Sequence, residues 1–221
     1  MQKQAIRSLI RNSLPKYDKA GRFGDRYINR AIEKVIAGLY EEVWRMNPLN
    51  LQRYTKQYGY STAITINTDL TTGRVYCTLP ASIVPFQDRL SGCRRISTIT
   101  QGAAKFFPVD PREMDLLANG SYSDTVTNMI GYSVGQNEIE FYNMSPAIQA
   151  QGVRMDLIVP FSEYDEDEEV KIPEIETSAG TRYNASSQSF VDKVMQILGI
   201  APKVDTKDDN RDQQGLSNKD N

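Results

Sequence analysis

From Asp25 to about Met46 the apolar residues recur with the period of an α-helix, and no other segment constrains the fold as strongly. Ile28, Ile32, Val35, Ile36, Leu39 and Val43 fall on one stripe, which Tyr27, Ala31, Tyr40 and Trp44 widen. Arg26, Arg30 and Lys34 fall on another face. Asp25 is placed to cap the start, because its carboxylate can accept a free first-turn N–H. Asn47-Pro48 ends the run. At roughly 1.5 Å per residue such a helix is about 30 Å long. So broad an apolar surface needs partners, and the chain supplies only short helices to meet it. Part of the stripe, through Ile28, Ile32, Val35, Ile36, Leu39, Tyr40, Val43 and Trp44, is therefore expected to pack against another subunit.

The remaining segments flank this helix with shorter elements. Residues 3–13 form a short amphipathic helix, with Ile6, Leu9 and Ile10 at helical spacing and Pro15 as its stop. Ser61–Asn67 and Arg74–Leu79 alternate as strands joined by a polar hairpin linker. Arg94–Thr100, Ala104–Val109 and Val153–Phe161 are further strands, and Met129–Val134 with Glu138–Tyr142 form a hairpin across Gly135-Gln136-Asn137. Asp110, Pro111 and Asn119-Gly120 punctuate a short helix. A last helix carries Phe190, Val191, Val194, Met195, Ile197 and Leu198, with Ser186 or Ser187 as cap and Gly199 at its end. Residues 201–221 are polar and lack aromatics, which predicts disorder in the free chain. The fold class that follows is α+β: N- and C-terminal helices form a helical layer beside a central antiparallel β domain, sandwich or barrel-like. The divisions are residues 1–58 (helical), 59–162 (β-rich), 163–200 (acidic loop and C-terminal helix) and 201–221 (tail).

Charge and chemistry narrow the function. The net charge of -2 hides a gradient, because Lys and Arg concentrate in the first quarter of the chain and Asp and Glu in the last. A basic end and an acidic end can neutralise each other within one fold, or join neighbouring copies head to tail. There is no histidine, which removes serine–histidine and cysteine–histidine catalysis in their usual form and every zinc site that needs His. Cys77 and Cys93 lie outside any CxxC pattern and read as reduced, partly buried hydrophobes. No Gly-rich phosphate loop is present. No catalytic residue, cofactor or metal ligand is signalled, and the chain is expected not to be an enzyme. Residues 1–4 open no signal-peptide core, and no 18-residue apolar run predicts a membrane span.

Two weaker signals remain. The run Glu163-Tyr164-Asp165-Glu166-Asp167-Glu168-Glu169 could hold a cation, but counted from Asp165 the sixth position of a calcium loop is Val170 rather than glycine. A solvated, self-repelling surface segment is the expectation. Arg22 lies in a glycine-bearing loop and joins Arg26 and Arg30 as candidate contacts to a nucleic-acid backbone. A pI near 5.4 argues against a dedicated nucleic-acid binder.

Three phrases resemble the head-to-tail connector (adaptor or ring) proteins of short-tailed bacteriophages, those of crAss-like phages above all. They are Tyr27-Ile28-Asn29-Arg30-Ala31-Ile32 continuing to Leu39-Tyr40-Glu41-Glu42-Val43-Trp44, Val75-Tyr76-Cys77-Thr78-Leu79-Pro80 before Arg94-Arg95-Ile96, and Met155-Asp156-Leu157-Ile158-Val159-Pro160 leading to Ile172-Pro173. The resemblance covers most of residues 25–200. It implies a non-enzymatic structural subunit that forms a homo-oligomeric ring of about twelve copies. Such a ring docks beneath the portal protein at the portal vertex of the virion, extends the channel for packaged DNA and meets further tail ring proteins, after assembly in the host bacterial cytoplasm. It also implies that a C-terminal segment climbs onto the portal. Here that segment would include Lys203, Asp205, Lys207, Arg211 and Leu216, and its 21 residues could extend on the order of 70 Å. The alternative is another virion role, as minor capsid, cargo or tail-fibre-adaptor protein, which the β-rich middle permits.

Overall fold

Helix α2 occupies Asp25–Met46, as its periodicity predicts, and ends on Asn47, whose N–H bonds the Val43 carbonyl. The computed structural model describes residues 1–17, 23–88, 90–100, 104–110, 129–173, 175–176, 182–183 and 188–200. Asp25 is not the N-cap of α2. Gly24 holds that position, and the Asp25 carboxylate is taken by Arg11 and, at 3.8 Å, by Arg7. Both arginines come from α1 (Lys3–Tyr17), which carries Pro15 inside its last turns instead of stopping before it. The neighbouring Arg11 and Asn12 are exposed, so a proline near the helix end costs less there than in a buried interior.

The apolar stripe of α2 is consumed within the chain. Ile28, Ile32, Val35, Ile36, Leu39, Tyr40 and Val43 are all buried. Against them pack α1, a 3-10 helix over Pro48–Tyr54, the turn Phe161–Glu163 and the C-terminal helix, called α4 below (Gln188–Ile197). These elements contribute Ile6, Ile10, Leu51, Phe161, Phe190, Val194 and Met195 to the same core. The expectation that this stripe needs another subunit is corrected. Counting α-helices alone left out the two short 3-10 segments, which close the remaining gap. Each such side chain contributes roughly 1.5–3 kcal/mol on burial.

The acidic run is likewise not a free surface segment. It lies along the N-terminus, and the Lys3 and Gln4 N–H groups bond the Glu168 and Glu166 carbonyls at 3.0 and 2.9 Å. Val170 N–H returns a bond to the Met1 carbonyl at 3.0 Å. Lys3 is buried, with its ammonium donating to the Tyr164 and Ser162 carbonyls and lying 5.5 Å over the Phe161 ring. Arg7 pairs with Glu166, and Lys56 with Glu168 at 2.6 Å. Of the two outcomes open to the charge gradient, the described residues realise the intramolecular one here.

Two sheets form the β region. Strands β1 (Lys56–Tyr58), β8 (Val153–Leu157) and β4 (Cys93–Thr98) make a three-stranded antiparallel sheet in the order β1-β8-β4. Strands β2 (Asn67–Thr68), β3 (Val75–Thr78), β7 (Glu138–Tyr142), β6 (Met129–Val134) and β5 (Lys105–Pro108) make the second, in the order β2-β3-β7-β6-β5. Their inward residues share one core: Cys77, Ile139 and Phe141 from one sheet, and Cys93, Ile96, Met155 and Leu157 from the other. The α+β class and the helical layer agree with the sequence. Three details differ. Strands β5 and β6 run parallel, not antiparallel. Residues 61–66 pair only through a bridge from Ile64 to Val153, where the chain crosses Gly152 so closely that a Cβ would sit 2.7 Å from the Ile64 carbonyl oxygen. And β1 lies before residue 59 yet belongs to the β region. A short helix α3 (Pro146–Gln149) precedes β8, and β9 (Ile175–Glu176) pairs with β10 (Arg182–Tyr183). The expected helix at 111–119 and the tail at 201–221 lie outside the described residues.

Burial separates two kinds of ion pair. Lys56 is part-buried, bonds Glu168 and the Glu163 carbonyl, and lies 5.2 Å over the Tyr164 ring. Arg45 pairs with Glu41 in the open. Lys56→Ala is expected to lower unfolding free energy by about 2 kcal/mol in urea titrations, because it strands buried acceptors. Arg45→Ala should cost less than about 0.5 kcal/mol.

Candidate functional site

On its solvent side α2 presents a basic row. Arg26, Arg30 and Lys34 follow one another at a spacing of four, so they share a face, and all three are exposed. None makes an ion pair or hydrogen bond among the described residues. Tyr27 stands beside them with 64% of its surface exposed. The basic side chains of α1 behave differently, since Lys3, Arg7 and Arg11 are all engaged with acceptors or acids. Arg26 also sits in the first turn, where the helix dipole disfavours a cation by about 0.3–1 kcal/mol. Asp25, also in the first turn, has the sign the dipole favours there.

The residues singled out from the sequence thus divide. Arg26 and Arg30 are brought together, and Lys34 extends their row. Arg22 lies outside the described residues, as do Lys203, Asp205, Lys207, Arg211 and Leu216. Helix α4 does end as expected, with Gly199 at a φ of +75° and the Ile200 N–H bonded to the Met195 carbonyl at 2.9 Å. Ile200 is buried, which anchors the point from which the tail departs.

Trp44 does not face outward to a neighbour. Its indole N–H donates to Asp88 Oδ2 at 3.1 Å, and Arg94 Nη1 donates to the same oxygen at 2.7 Å. Arg94 is buried, with its guanidinium 5.0 Å from the Phe86 ring. This node ties α2 to the three-stranded sheet. A register shift between Cys93 and Arg95 explains how an arginine enters the core. The extra residue breaks the alternation, so Cys93 and Arg94 both turn inward and Arg95 turns out. Sequence reasoning missed the node because Asp88 sits in a loop and Arg94 in an Arg-Arg pair, with nothing in spacing to mark either as buried.

Cys77 and Cys93 are free and fully buried. Burial pushes both thiols up to about 12. The Tyr40 phenol is also raised well above its usual value, by burial first and by neighbouring Tyr164 next. Among the described residues no cluster of Cys, Asp and Glu is arranged to hold a metal ion, and no helix is long and apolar enough to cross a membrane. The chain matches no established protein family, and no characterised protein is detectably similar to it in sequence.

The raised thiols and phenol give a signed pH dependence. Their contribution to stability is complete below pH 9 and declines as pH climbs toward 12, because the unfolded chain ionises first. Each raised group steepens the decline by about 1.4 kcal/mol per pH unit within its window. Urea midpoints measured between pH 8 and 11 should fall accordingly, and Cys93→Ala should flatten the fall. Neither thiol should react with a disulfide reagent at pH 8 until the chain is unfolded.

Proposed function

We propose that this chain is a structural, non-enzymatic subunit of a phage neck. In this reading it forms a homo-oligomeric ring of about twelve copies that docks on the portal, extends the DNA channel and hands on to the next tail ring. The observation that carries the reading is the division of α2. Its apolar side is spent inside the chain, while its outer side keeps a row of Arg26, Arg30 and Lys34 with no ion pair among the described residues. Repeated around a ring, such a row would give a belt of positive charge able to face passing duplex DNA. The three phrases that resemble connector proteins support the same reading. All three, on α2, on β3 with β4 and on β8, lie in elements that build the core.

Assembly with the portal is the direct test. Purified chain mixed with the portal protein of the same phage should give a ring in negative stain and a discrete oligomer by native mass spectrometry. A chain that stays monomeric and leaves the portal bare would overturn the proposal. The triple variant Arg26→Glu, Arg30→Glu, Lys34→Glu should keep its thermal midpoint within a few degrees, since the three side chains are exposed and make no ion pair or hydrogen bond among the described residues. It should lose most of its retention of duplex DNA at low salt, and full retention would remove the channel role.

A further inference from the structure

The outward side of the three-stranded sheet carries a second basic surface, and this one is concave. Along β8 the side chains alternate, with Val153, Met155 and Leu157 inside and Arg154 and Asp156 outside. The register sets Arg95 of β4 opposite Asp156, and Ser97 opposite Arg154. Tyr60, from the loop after β1, and Ala104, Lys105 and Phe106, at the start of β5, complete the walls of a cleft of about 460 Å³. That volume falls in the range of small-molecule sites.

The charges in the cleft do not cancel. Arg95, Lys105 and Arg154 make no ion pair among the described residues. Asp156, the carboxylate opposite Arg95, accepts instead from the Tyr60 hydroxyl at 2.9 Å. The Arg154 guanidinium is held 5.2 Å from the Tyr60 ring, and its Nε–H is buried without an acceptor among the described residues. The Ser97 hydroxyl has no hydrogen bond among the described residues. Three cations and an idle hydroxyl thus surround a hollow with apolar ring surface on Tyr60 and Phe106. Forked guanidinium donors suit the several oxygens of a phosphate better than a single carboxylate, and the ring surface suits a planar group attached to it.

We infer that this cleft binds the phosphate of a nucleotide, either free or exposed in a single strand, through Arg95, Lys105 and Arg154. The inference is independent of the ring reading, since it uses a different face of the molecule. Titration of the full chain with thymidine monophosphate, a short oligothymidylate, inorganic phosphate and a glutamate-rich peptide tests it by calorimetry at low salt. Thymidine monophosphate or the oligothymidylate should bind more tightly than phosphate and much more tightly than the peptide. Preference for the monophosphate identifies a free-nucleotide site, and preference for the oligothymidylate identifies a strand site. Arg154→Ala and Lys105→Ala should each weaken that binding at least tenfold. Lys105 is exposed, so its substitution leaves folding untouched and guards against a misfolded Arg154 variant. Absence of nucleotide binding in the millimolar range, equal binding of the peptide, or binding unchanged in Lys105→Ala and Arg154→Ala would overturn the inference. Ring formation on the portal would survive each of these results.

Discussion

Ile28, Ile32, Val35, Ile36, Leu39, Tyr40 and Val43 lose nearly all contact with water only because four separate segments meet on α2 at once. Two of these segments are helices. The other two, the 3-10 helix at Pro48–Tyr54 and the turn at Phe161–Glu163, are short and irregular, and they bring the β region with them. Tyr40 marks the junction. Its ring meets Tyr54 at 6.3 Å between centroids, and its hydroxyl donates to the Lys171 carbonyl. Ser162 reaches back to donate to Glu33 on the same helix. Helical layer and sheets are therefore one body of packing.

A single inserted residue in β4 organises both sides of the smaller sheet. By turning Arg94 inward, the bulge supplies the cation that holds Asp88 and, through it, Trp44 of α2. By turning Arg95 outward, it supplies one wall of the basic cleft. The inward side is expensive. Among the described residues Arg94 Nε and Nη2 and Asp88 Oδ1 are buried without partners, so the node retains unmet polar demand there even while it fastens the layers together. An apolar pair would pack with less penalty but would not draw Trp44 and Asp88 to one point.

Much of this architecture was legible in the chain, for reasons that differ by element. Helix α2 and the β6–β7 hairpin have strong periodicity or a turn of fixed length, and both occur where that pattern puts them. Strand β1 has three residues and no alternation to notice; it exists because β8 offers an edge. The parallel pairing of β5 with β6 depends on the path of the connection, which local pattern does not record. The burial of the α2 stripe was misjudged because irregular segments can cover apolar surface as well as helices do. At the candidate sites, Arg26 and Arg30 were readable because one helix carries them both. The cleft was not, because Tyr60, Arg95, Lys105 and Arg154 come from four stretches that only the pairing of β4 with β8 and the approach of β5 and a loop bring together.

The pairing of the N-terminus with the acidic run has a further consequence, for the order of events in synthesis. Lys3 and the Tyr164 carbonyl it holds are 161 residues apart. Helix α1 leaves the ribosome ahead of residues 163–170, and its seat is not made until they follow. Until then Ile6, Ile10 and part of the α2 stripe stay open to water and to one another. Closing so long a loop costs only a little more entropy than closing a shorter one, but contacts of this range slow folding. Docking of α1 thus waits on the synthesis of residues 163–170, and until then the nascent chain carries this apolar surface uncovered.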